Sequence, residues 1–107
     1  METGCVIVFT TIGSTTDGHE LASILVTERF AACVNVLPEM DSVYRWKGVV
    51  ESERERQLII KTTAGRVEGL KERLHEIHPY ELPEFIVIEL SGGSEAYLQW
   101  IASETQP

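Results

Sequence analysis

Seven consecutive residues concentrate the groups that could do chemistry: His78-Pro79-Tyr80-Glu81-Leu82-Pro83-Glu84. They supply an imidazole, a phenol and two carboxylates. Imidazole with carboxylate oxygens is a donor set that suits Cu(II) or Zn(II), which makes His78, Glu81 and Glu84 candidate ligands for a divalent cation. The prolines fix their own φ and bias the residues before them away from helix, so the segment is stiff. A competing assignment for His78 is structural. Pro79 must stop any helix that reaches it, and a histidine at a helix C-terminus favours the free carbonyls there.

Other groups could join this segment. Lys61 ends an apolar strand-like run, and lysine is seldom buried without a partner. It either pairs with Glu81, Glu84 or Glu89, or acts with Tyr80 and Glu84 to hold a small anionic ligand in a cleft. Cys5 and Cys33, the only cysteines, form no C-x-x-C spacing and lie among apolar residues, as core thiols do. Cys33 becomes a thiolate ligand only if the fold brings it to His78. His75 could join if the helix continues to His78, since residues three apart share a face; His19 sits in an exposed first turn. Tyr44 and Trp46 share one strand face, as a subunit contact or as a cage around a ligand. The chain has no Ser-His-Asp signature, no G-x-S-x-G and no phosphate-cradling glycine loop, so binding fits it better than catalysis.

These groups must be positioned by alternating strands and helices. Cys5 to Thr11 is β-branched on both parities and reads as a central strand, followed by a loop from Ile12 to Thr16. Asp17 and Glu20 form a capping box before a helix that ends near Arg29-Phe30. Ala31 to Leu37 is a second strand, and Pro38 marks an edge or a bulge in it. Extended structure resumes at Ser42-Val43-Tyr44-Arg45-Trp46, turns at Lys47-Gly48, and returns through Val49-Val50 and then Gln57 to Thr63. The charged stretch Glu51 to Arg56 suits an exposed part of this hairpin. Val67, Leu70, Leu74 and Ile77 mark a second helix. Glu84 to Leu90 is the last strand, and Ser94 to Ile101 a terminal helix in which Trp100 packs. The order β-α-β-β-α-β plus a helix predicts an α+β, ferredoxin-like domain with strand order 4-1-3-2.

Composition narrows the partners. The 107 residues suggest one domain spanning 1–107, and the net charge of -8 disfavours nucleic acid and anionic membrane surfaces. No apolar run approaches the ~20 residues of a membrane helix, and no signal segment opens the chain, which points to the cytoplasm. The hairpin arms outrun what the other strands can pair, and one sheet face is left without helices. Further copies closed symmetrically into a ring would cover both, so a homo-oligomer is expected.

Several segments together resemble the CutA family of divalent-cation tolerance proteins: Ala31-Ala32-Cys33-Val34-Asn35-Val36-Leu37-Pro38, Ser42-Val43-Tyr44-Arg45-Trp46-Lys47-Gly48, Ile60-Lys61-Thr62, His78 to Glu84, and Tyr97-Leu98-Gln99-Trp100. The resemblance implies a ferredoxin-like subunit in a compact homotrimer, similar to the PII signalling proteins, which bind small ligands between subunits. It also implies a role in metal tolerance with Cu(II) or another divalent cation as ligand, none of it required for folding. Phe9 stands where some members carry a copper-binding cysteine, and Ile77 where some carry a second histidine before the position of His78.

Overall fold

A computed structural model describes residues 3–107. The elements run β1 (Cys5–Gly13), α1 (Gly18–Thr27), β2 (Cys33–Trp46), β3 (Val49–Thr63), a short 3-10 turn (Ala64–Arg66), α2 (Val67–Ile77), β4 (Ile86–Glu89) and α3 (Glu95–Glu104). The sheet is antiparallel in the order β2-β3-β1-β4, the expected ferredoxin-like arrangement read from its other edge.

Alternation along the central strands sorts their side chains onto two faces. Val6, Val8 and Ile12 of β1 meet Leu58 and Ile60 of β3 on one face, where Leu21 and Leu25 of α1 and Leu70 and Leu74 of α2 close the core. The opposite face carries Ile7, Phe9 and Ile59, with Ile86 and Ile88 on β4 about half exposed. Only one end of that face is covered. There Ile101 and Leu98 of α3 pack on Cys5, Ala32 and Leu90.

Several boundaries differ from the sequence expectation, each for a visible reason. β1 continues through Ile12 and Gly13, because Ile12 is fully buried and Gly13 pairs with Glu55. β2 begins at Cys33 and not at Ala31, although the Ala32 N–H already donates to the Lys61 carbonyl at 2.9 Å. Glu51 to Arg56 is continuous strand, since β3 pairs with β2 from Val49 to Lys61 except at a register shift between Val36 and Glu39. That shift is the irregularity expected at Pro38. α1 stops at Thr27, ahead of Arg29 with its φ of 65°. α3 runs to Glu104, and the Thr105 hydroxyl closes it by donating to the Ile101 carbonyl at 2.8 Å. β4 is short, beginning only at Ile86 after the proline-bounded segment.

β1 pairs only with residues 55–63 of β3. The distal hairpin therefore projects as a two-stranded ribbon, and the molecule measures 44 × 27 × 24 Å. Val43, Val49 and Val50 at its end are 70%, 57% and 62% exposed.

Candidate functional site

The ribbon and the 79–86 segment enclose a groove of about 830 Å³ on the sheet face opposite α1 and α2. Its floor follows from strand register. Met40, Ser42 and Tyr44 of β2 lie opposite Glu55, Glu53 and Glu51 of β3, so the six side chains share one face. Trp46 extends the aromatic edge. Tyr80, Glu81, Leu82 and Glu84 form the other wall. Among the described residues, five glutamates line the groove and no lysine, arginine or histidine does.

His78 anchors that second wall. It caps α2 with its backbone N–H on the Leu74 carbonyl at 2.7 Å. Its buried ring does not turn back to the helix carbonyls, as the sequence suggested, but crosses to β1. Nε2 lies 2.6 Å from the Thr11 carbonyl, and Nδ1 accepts the Tyr80 backbone N–H at 3.1 Å. An amide N–H can only donate, so Nδ1 is the acceptor and Nε2 carries the proton. Both ring nitrogens are thus occupied, and the ring packs 4.8 Å from that of Tyr80.

The histidine fixes Tyr80, and Tyr80 reaches into the groove. Its hydroxyl donates to Glu55 Oε2 at 2.7 Å. Burial, reinforced by the Glu55 hydrogen bond and charge, pushes the phenol well above its ordinary pKa. Tyr44 is pushed up to about 12, first by burial and then by Glu53, with Glu51 and Glu55 adding repulsion. Glu84 is held differently. Gln57 Nε2 donates to its Oε2 at 2.8 Å and to the Thr10 carbonyl at 2.7 Å, tying the segment to the sheet.

The residues singled out from sequence are only partly brought together. Tyr80, Glu81 and Glu84 line the groove, and His78 supports it from behind. Cys33 and Lys61 are cross-strand partners at the other end of the sheet. That lies four residues along β3 from Gln57, or roughly 13 Å. Lys61 sits 5.8 Å from the Tyr97 ring and has no ion pair among the described residues. An anion held jointly by Lys61, Tyr80 and Glu84 is therefore not assembled in one chain, and in the groove it would face five carboxylates. The set His78, Glu81, Glu84 and Cys33 is not assembled either: no group of three or more His, Cys, Asp or Glu side chains among the described residues converges on a metal-sized space. His75 is exposed on the last turn of α2, and the helix ends at Ile77, so it does not continue to His78. Trp100 is 41% exposed and leans on Tyr97 at 5.4 Å.

The row Glu51, Glu53 and Glu55 was missed. The usable signal was its period of two, which puts all three on one face once the stretch is read as strand. The alternating charges alone suggest only an exposed part of the hairpin.

The family model described as CutA1 divalent ion tolerance protein matches residues 6–104. A chloroplastic protein CutA from Arabidopsis thaliana is 41% identical over 101 residues, covering 94% of this chain and 56% of the relative. The chain thus spans a little over half the length of that curated relative. A solved structure described as a divalent cation tolerance protein from Thermus thermophilus is 38% identical with a TM-score of 0.92, covering 95% of this chain and 99% of its own. A PII-like protein CutA from Nostoc sp. PCC 7120, solved in apo form, is 40% identical with a TM-score of 0.87, covering 94% of this chain and 97% of its own.

Proposed function

The chain belongs to the CutA1 divalent ion tolerance family, and from that premise we propose that it acts in the cytoplasm as a non-catalytic homotrimer that binds divalent cations, Cu(II) foremost. The observation that carries this reading is the groove lined, among the described residues, by five glutamates and no basic side chain. Such a surface concentrates cations, and its low-dielectric walls strengthen the field. Carboxylate and phenol oxygens suit Cu(II) and harder divalent ions better than Cu(I).

Glu81 and Glu84 are the ligands one chain offers most readily. His78 joins them only by exchanging its bonds to Thr11 and Tyr80 for the ion. One chain offers no cage of three such ligands among the described residues, so the remaining coordination falls to water or to an adjacent subunit. Trimer formation is supported by the half-exposed apolar face and by the unpaired β3 edge over residues 49–54. Three copies around a threefold axis would cover both.

Calorimetry with Cu(II) on wild type, His78→Ala and the Glu81→Gln/Glu84→Gln pair tests the ligand assignment. A weaker affinity in both variants is expected; wild-type affinity in both would remove these residues as ligands. Light scattering tests the assembly, with a trimer mass expected and a monomer mass contradicting it.

A further inference from the structure

We draw no further inference here: the strongest candidate, the side-chain cluster on the sheet face opposite α1 and α2 where Lys61 meets the Tyr97 ring beside its cross-strand partner Cys33, lies on the face that the proposed trimer covers, and nothing in the structure shows what a neighbouring copy would place against it.

Discussion

Replacing Tyr80 with phenylalanine deletes one oxygen and should cost about 2 kcal/mol of folding free energy. The hydroxyl donates at 2.7 Å to Glu55, which is 6% exposed and has no other hydrogen-bond partner among the described residues. Hydrogen bonds to charged groups contribute about 1.5–3 kcal/mol, and the loss is greatest when the abandoned partner stays buried. Tyr80→Phe leaves Glu55 in that position. Changing both partners should behave differently, because Glu55→Leu removes the charge that needs solvation. The double variant Tyr80→Phe/Glu55→Leu should therefore recover most of what Tyr80→Phe loses, giving a coupling of about 1.5 kcal/mol or more in a double-mutant cycle. Urea unfolding at pH 7 and fixed protomer concentration measures it. A Tyr80→Phe cost below about 0.5 kcal/mol, with additive behaviour in the pair, would refute the reasoning, because the bond would then be no better than a solvated one.

His78→Ala removes two side-chain hydrogen bonds, to the Thr11 carbonyl and from the Tyr80 N–H, and should destabilise by about 2–4 kcal/mol in the same assay. Gly18→Ala places a Cβ 2.9 Å from Val36 Cγ1 and 3.0 Å from Ile12 Cδ1, so thermal unfolding should show overpacking of about 1–3 kcal/mol and no gain in helix propensity. At high pH, Tyr80 and Tyr44 have folded pKa values raised above the ordinary phenol value of 10.0. Their contribution is complete below that value and is lost as pH rises through the folded ones, for Tyr44 about 12, so unfolding series from pH 9 upward should show falling stability, more gently in Tyr80→Phe. At low pH, the hydrogen bonds from Arg73 hold the Glu28 carboxyl below its ordinary 4.5 despite opposing desolvation. That contribution is complete above 4.5 and is lost as pH falls through the lowered value, so Glu28→Gln should flatten the acid limb.

The fold was readable because each element carries its own period. β1 is apolar on both parities since helices cover one of its faces while the other bears Ile7 and Phe9. Asp17 accepts the Glu20 N–H at 3.0 Å, as its spacing to the helix start demanded. Pro38 marked the register shift between Val36 and Glu39. The site was less legible because its parts meet through register, and register is a long-range property. Tyr80 and Glu55 are 25 residues apart in sequence and join only because Gly13 pairs with Glu55 while His78 docks on neighbouring Thr11. The same register carries Cys33 and Lys61 to the far end of the sheet, so within one chain neither meets Tyr80 or Glu84. Glu51, Glu53 and Glu55 looked solvated because alternating charges are common on surfaces. Only the pairing of β3 with β2 shows that the three acids share a face with Tyr44 and Met40.

A crystal grown with Cu(II) and measured at the copper absorption edge would locate the ion without reference to any assumed ligand. An anomalous peak in the groove, with oxygens of Glu81 and Glu84 within ~2.0–2.3 Å, is the expected outcome. A peak at Cys33 or elsewhere on the surface, or none at all, would contradict the assignment of this acidic groove as the cation site.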